Sequence, residues 1–150
     1  MKNISALNEW LSLLANIGVI AGIVFLGLEI SQNSRMMEAQ TRAQISQSIT
    51  GLIESDRNPD VVEALLKLRD GEELNGKDSY FLESRARLFL RSWENTYYQY
   101  ENGLLSEEDF DADYFVWRSI MRAEHFRDEW LASRESYPSG FRDVIDSLVD

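Results

Sequence analysis

The sequence contains no cysteine and only one histidine among its 150 residues. Without cysteine the chain cannot form disulfides or thiolate metal sites, which excludes disulfide scaffolds and cysteine-ligated zinc modules. A di-iron bundle needs two Glu-x-x-His pairs, so the single His125 excludes that class too. The chain also lacks a Gly-x-Ser-x-Gly elbow and a phosphate-binding glycine loop. We therefore predict no catalytic residue, metal ligand or cofactor, and an enzyme is the less favoured class.

Basic residues are scarce: 15 Lys and Arg stand against 26 Asp and Glu, which gives a net charge of −11. The first fifty residues carry equal numbers of both signs: Lys2, Arg35 and Arg42 against Glu9, Glu29 and Glu38. The excess of acidic residues therefore lies after residue 50. This part of the chain and the phosphate backbone of a nucleic acid are both negatively charged and repel each other. Nucleic acid is not an expected partner. The bases are mostly arginines, which favour forked ion pairs with acids, and we single out Arg85, Arg118, Arg122 and Arg127.

A long run without charge is present between Trp10 and Leu28. As a helix with a rise of about 1.5 Å per residue, it nearly covers the hydrocarbon core of a bilayer, which is about 30 Å thick. The run is longer than the apolar part of a signal peptide, so we expect a retained anchor in the lipid bilayer. The alternative is a soluble bundle that buries this helix in a large core or between subunits.

Small and polar residues divide the surface of this predicted helix. Gly18 and Gly22 have GxxxG spacing and share a face with Ala15, where a second helix can approach closely. Asn16 lies on a different side with Ser12 and Gly27 and offers a polar group to another helix. We expect self-association or a protein partner through Ala15, Asn16, Gly18 and Gly22. The alternative is that the glycines have no packing role, because glycine is common in membrane helices.

Downstream of the span the chain turns polar but stays compatible with helix. We expect residues 1–30 to form a short tail and transmembrane helix, 31–56 a helical neck and 57–150 an acidic helical domain. In the neck, Ile45, Ile49, Leu52 and Ile53 recur at helical spacing and predict a face that docks on the domain. Positive charge is nearly balanced across the span, and because a short N-terminal tail crosses a membrane easily, the C-terminal domain is expected in the cytoplasm.

Capping residues predict the helices of the domain. Asn58-Pro59 opens a helix that ends at Gly71, with Val61, Val62, Leu65, Leu66 and Leu68 expected inside. A central helix is expected from Asp78 or Ser79 to Asn102, with Gly103 in a left-handed cap. Ser106 with Asp109 resembles a capping box. Later helices are expected at 115–122, 126–134 and 141–148. Because no segment alternates like a strand, the predicted fold is all α.

Aromatic residues concentrate in the second half of the chain, from Tyr80 to Phe141. In so small a domain most of them should fill the core, but the alternative is a groove for a ligand or partner. The candidate pocket or partner surface consists of Trp93, Tyr97, Trp117, His125 and Trp130. His125 is also a weak candidate for a general base held by a carboxylate such as Asp128.

Asp109, Asp111 and Asp113 match the first ligand positions of a calcium loop. Tyr114 stands where such a loop needs glycine, and Ile120 stands where it needs the bidentate glutamate. The pattern therefore favours an acidic helix start over a calcium site.

Short motifs occur near both ends of the chain. They are Ile17-Gly18 in the apolar run, Leu28-Glu29-Ile30-Ser31-Gln32-Asn33-Ser34, then Tyr97, Tyr98 and Tyr100 with Gly103-Leu104-Leu105, and Trp130 with Tyr137-Pro138 and Gly140-Phe141-Arg142. Together they resemble a group of uncharacterised bacterial membrane-anchored helical proteins. That resemblance implies a single span in the bacterial inner membrane and a compact helical domain, without an activity or catalytic residues to carry over. Ser31 stands where that group often has a basic residue, which weakens the charge argument for a cytoplasmic domain.

Two functions of different classes follow. The favoured one is a membrane-anchored interaction domain, an accessory subunit of a membrane complex or a homo-oligomer. The alternative is a membrane-tethered small-ligand sensor or enzyme with an aromatic-lined pocket.

Overall fold

The structure is a computed structural model that describes residues 2–149, with side chains from residue 8 onward. Met1, Asp150 and the side chain of Lys2, one of the three basic residues among the first fifty, lie outside the described part. The described residues form helices α1 to α6 and a short 3₁₀ turn, and no strand occurs among them. Their bounds are α1 Lys2–Ser55, α2 Pro59–Asp70, α3 Gly76–Glu101, α4 Glu107–Ile120, α5 Glu124–Ser133, the 3₁₀ turn Arg134–Ser136 and α6 Ser139–Val149. The predicted all-α fold is confirmed.

The chain divides into two compact units, residues 1–40 and residues 41–150. The first unit contains the apolar part of α1. An 18-residue window of this helix has a mean hydropathy of 2.3 and none of it is buried. Large apolar side chains between Trp10 and Ile30 are exposed all round the helix, from 48% at Leu13 to 67% at Ile30. By length and composition α1 can cross a membrane.

α3 is the central helix of the second unit, as its aromatic residues on several sides predict, and it packs against α2, α4 and α5. The core lies where α3 meets α4, α5 and α6, around Trp93, Trp117, Phe126 and Phe141. Residues 41–55 of α1 belong to this unit. Leu52 is buried and Ile45 packs against the core, whereas Ile49 and Ile53 stay exposed, so only part of the predicted docking face is buried.

Side-chain caps set the helix ends. The Asn58 side chain accepts from the Asp60 N–H, and Gly71 ends α2 with a φ of 72°, as predicted. α3 begins earlier than predicted because Asn75 is its N-cap, and Asp78 completes a capping box from the third helical position. The Ser106 hydroxyl accepts from the Asp109 N–H and begins α4.

The buried face of α2 differs from the prediction. Val61 is buried as expected, but the other fully enclosed residue is Ala64. Val62, Leu66 and Leu68 are about 40% exposed. The prediction that these three point inward is wrong because α2 packs closely on α3 through its small residue.

Candidate functional site

Three of the candidate aromatic residues lie inside the core. Trp93, Trp117 and Trp130 are exposed by only 4%, 3% and 0%. The rings of Trp93 and Trp117 stack at 5.3 Å between centroids, and the Trp130 ring meets Phe141 edge-on at 5.9 Å. The Trp130 indole N–H donates to the Asp146 carboxylate at 3.0 Å, which satisfies its only polar group. These residues primarily hold the fold together.

Tyr97 lies at the edge of the core. Its ring packs 5.8 Å from Phe141, and it lines a surface groove of about 310 Å³ together with Tyr98, Glu101 and Pro138. Burial raises the pKa of the Tyr97 hydroxyl, and the neighbouring carboxylate of Glu101 raises it further. The phenol therefore stays protonated at neutral pH.

His125, at the start of α5, is partly buried and lies beside Phe126, with 4.9 Å between ring centroids. Both ring nitrogens are buried without a hydrogen-bond partner in the described part of the chain. Burial lowers the His125 pKa and the charge of Arg85 lowers it further, while Asp128 opposes them. Because Asp128 does not hydrogen-bond to the ring, the arrangement expected of an oriented general base is not formed.

The five candidates therefore do not converge on one cavity. Tyr97 lines the groove just described, and Trp93 and Trp117 lie at the bottom of a second groove. Trp130 is fully enclosed by protein. Trp93, Trp117 and Trp130 belong to the aromatic core, and Tyr97 packs against it. His125 contacts that core through Phe126.

The second groove, which we term the α1–α4 groove, has a volume of about 300 Å³. It is lined by Ile45, Ile49 and Ile53 of α1, by Trp93 of α3, and by Val116 and Trp117 of α4. Sequence reasoning missed this groove as a site, although the spacing of the α1 isoleucines and of Asp113, Val116, Trp117 and Ile120 contained a signal. Each set repeats at helical intervals and so predicts a single helix face, which is apolar except for Asp113.

Asp113 is the least compensated acid in this groove. Its side chain is partly buried, and it also lines an adjoining groove with Arg42 and Asp109. Arg42 is already paired with Asp109 at 2.7 Å. Burial raises the pKa of Asp113, and the negative charge of Asp109 raises it further.

The three aspartates of the calcium-like pattern lie on regular helix. Asp109, Asp111 and Asp113 belong to α4, which leaves no loop to wrap a cation. Among the described residues no group of three His, Cys, Asp or Glu side chains is placed to hold a metal.

The candidate packing residues of α1 lie on exposed helix. Ala15, Asn16, Gly18 and Gly22 are all exposed. A Cβ atom built on Gly18 or Gly22 would meet nothing within 4 Å, so no contact in the described structure requires glycine there.

Comparison with protein-family models, with curated proteins and with solved structures gave no match to this chain.

Proposed function

We propose that this chain is a single-pass membrane protein whose helical unit binds another protein, as an accessory subunit of a membrane complex or as a homo-oligomer. The observation that carries the proposal is the apolar surface of α1 between Trp10 and Ile30, which is exposed all round the helix. Soluble monomers rarely expose contiguous apolar patches larger than a few hundred Å². Lipid is the surrounding that suits such a surface.

The backbone of α1 is compatible with that surrounding. A span in hydrocarbon must satisfy its peptide groups internally, and a continuous α-helix does so. α1 runs without interruption from Lys2 to Ser55, and Pro is absent from this range. Trp10 at one end of the uncharged run suits the headgroup region, where indole rings are enriched.

Gly18 and Gly22 support a helix partner. Glycine lowers the stability of a helix interior by roughly 0.5–1 kcal/mol relative to alanine, so a pair of glycines on one face calls for another reason. Close approach of a second helix supplies one, since small residues allow backbones to pack in lipid. Ala15 extends the same narrow face by a further turn.

We also propose that the helical unit lies on the cytoplasmic side of the bacterial inner membrane. Arg35 and Arg42 follow the uncharged run within the range in which basic residues mark the cytoplasmic side. Since the chain has no cysteine, a single Ser119→Cys variant on exposed α4 reports the side directly. We expect an impermeant maleimide to label it only after the cells are lysed, and labelling of intact spheroplasts would contradict this orientation.

The function is tested by crosslinking the protein in its native membrane, solubilising it in mild detergent and identifying what copurifies. The informative variant is Gly18→Ile/Gly22→Ile. The control is Ile17→Phe, because Ile17 is exposed and, at about 3.6 residues per turn, lies away from both the Gly18–Gly22 face and the Asn16–Gly27 face. We expect a stoichiometric partner, or a second copy, that the double variant loses and the control keeps. Equal recovery from the double variant and the control would show that this face binds nothing.

A further inference from the structure

The α1–α4 groove presents apolar side chains to solvent on an otherwise acidic unit. Ile53, Val116 and Ile49 are exposed by 53%, 50% and 44%. They stand over the buried rings of Trp93 and Trp117, which form the bottom of the groove. Small-molecule sites are mostly apolar concavities of roughly 300–1,000 Å³ with a few polar groups that fix orientation. With about 300 Å³, this groove suits a compact ligand.

The charges in the groove determine which ligand fits. Asp56 and Asp113 are the charged residues in its lining, and no lysine or arginine of the described part of the chain lines it. Asp56 is already held by Arg85, whose Nε and Nη2 lie 2.5 and 2.9 Å from its carboxylate oxygens. Asp113 has no ion pair or hydrogen bond among the described residues, although burial removes part of its hydration. The groove therefore repels anions and has one carboxylate available for a cation.

We propose that the α1–α4 groove binds a small organic amine, with its apolar body against Ile53, Val116 and Trp117 and its ammonium group on the Asp113 carboxylate. An ammonium there replaces the hydration that Asp113 has lost and offsets the repulsion from Asp109. A charge-assisted hydrogen bond in an apolar surrounding is among the stronger polar interactions in proteins. The apolar walls supply the remaining affinity through burial.

The test uses the full chain in lipid nanodiscs and two probes of the same shape, 2-phenylethylamine and 2-phenylethanol. The first carries an ammonium group and the second a hydroxyl group, so a site that depends on the Asp113 carboxylate should bind the first more tightly. The indole N–H signals of Trp93 and Trp117 report the groove by NMR, whereas Trp10 and Trp130 lie outside its lining and report lipid partitioning or general change. We expect the amine to shift the groove signals with a dissociation constant at least about tenfold lower than that of the alcohol.

The variants are Asp113→Asn and, as the matched control, Asp111→Asn. Both remove one negative charge from α4, but Asp111 is exposed and is not among the residues that line the groove. We expect Asp113→Asn to abolish the preference for the amine and Asp111→Asn to keep it. Equal affinity of the two probes for the wild-type chain would overturn the proposal without any variant. Absence of a Trp93 or Trp117 shift, or the same behaviour of both variants, would overturn it as well.

Discussion

Arg87 on α3 holds the buried carboxylate of Glu129 on α5 through two parallel hydrogen bonds, 2.8 Å from Nε and 3.1 Å from Nη2. Glu129 is only 4% exposed, so its charge is buried inside the bundle. Arg87, whose side chain is largely exposed, reaches in from the surface and neutralises that charge. The neighbouring carboxylate raises the pKa of Arg87. This fork fixes the register between α3 and α5.

Removing one partner of this pair should destabilise the helical unit strongly. In an Arg87→Ala variant the Glu129 carboxylate stays buried without a partner, and we expect a loss of about 2–4 kcal/mol in the free energy of unfolding. Urea unfolding followed by tryptophan fluorescence in mild detergent measures it. Arg69→Ala is the control, because Arg69 pairs with Asp70 on the surface, where such pairs contribute at most about 1 kcal/mol. Equal losses in both variants would contradict the buried fork.

The Tyr97 hydroxyl leaves no room for a side chain at position 140, which is a glycine. A Cβ atom built on Gly140 would lie 2.5 Å from the Tyr97 hydroxyl oxygen but 3.4 Å from the nearest ring carbon. Phe141 and Phe110 pack against the Tyr97 ring and limit its movement. We therefore expect Gly140→Ala to destabilise the unit by about 1–3 kcal/mol, as overpacking does.

The matched variant is Tyr97→Phe/Gly140→Ala, which removes the clashing oxygen and leaves contacts near van der Waals distance. We expect the alanine substitution to be nearly neutral in the Tyr97→Phe background, so the double-mutant cycle should show strong coupling. Additive effects of the two substitutions would rule out the contact as the cause.

Two glycines should respond to alanine with opposite signs. Gly103 has a φ of 68°, which alanine adopts at a cost of about 1 kcal/mol. Gly51 lies in the interior of α1, where an added Cβ atom would meet nothing within 4 Å, so Gly51→Ala should stabilise the helix by about 0.5–1 kcal/mol. Thermal unfolding of the two single variants measures both effects. A loss of stability in Gly51→Ala would contradict the open environment of that position.

The single histidine should make stability depend on pH. Burial and the charge of Arg85 lower the pKa of His125 in the folded protein below its ordinary value of about 6.5. Below that pH the unfolded chain therefore binds a proton at His125 more readily than the folded protein does. Above about pH 6.5 His125 is neutral in both states and does not affect stability. As the pH falls from about 6.5 towards the pKa of His125 in the folded protein, the free energy of unfolding decreases by at most about 1.4 kcal/mol per pH unit. Urea unfolding at pH 7.5 and 5.5, in wild type and His125→Phe, isolates it. We expect the variant to lose less stability between the two pH values, and an unchanged pH dependence would contradict the prediction.

Local signals predicted much of the fold. Helix ends are marked by Asn58, Pro59, Gly71 and Gly103. These signals depend on contacts that span only a few residues, so they can be recognised in the sequence alone. The predicted start of α3 is wrong because Gly76, a residue type typical of turns, directly follows the N-cap Asn75. Asp78 is the third residue of the helix and completes the capping box, so it does not begin the helix.

Long-range relationships could not be predicted in the same way. The sequence suggested Arg85, Arg118, Arg122 and Arg127 for ion pairs, and of these Arg85 forms a fork while Arg127 donates to backbone carbonyls. The Arg87–Glu129 pair joins residues 42 positions apart, and its formation depends on how α3 and α5 pack. The same limit applies to the groove, since the partial burial of Asp113 arises from packing between helices.

We propose that the uncharged run from Trp10 to Leu28 holds the protein in a membrane, and alkaline carbonate extraction of native membranes is the direct test. A matched variant, Ile20→Arg/Val24→Arg, places two charges in the run and should not disturb the helical unit at residues 41–150. We predict that the wild-type protein stays in the membrane pellet and that the variant is released. Quantitative release of the wild-type protein would contradict the account and favour a soluble assembly that buries α1 between subunits.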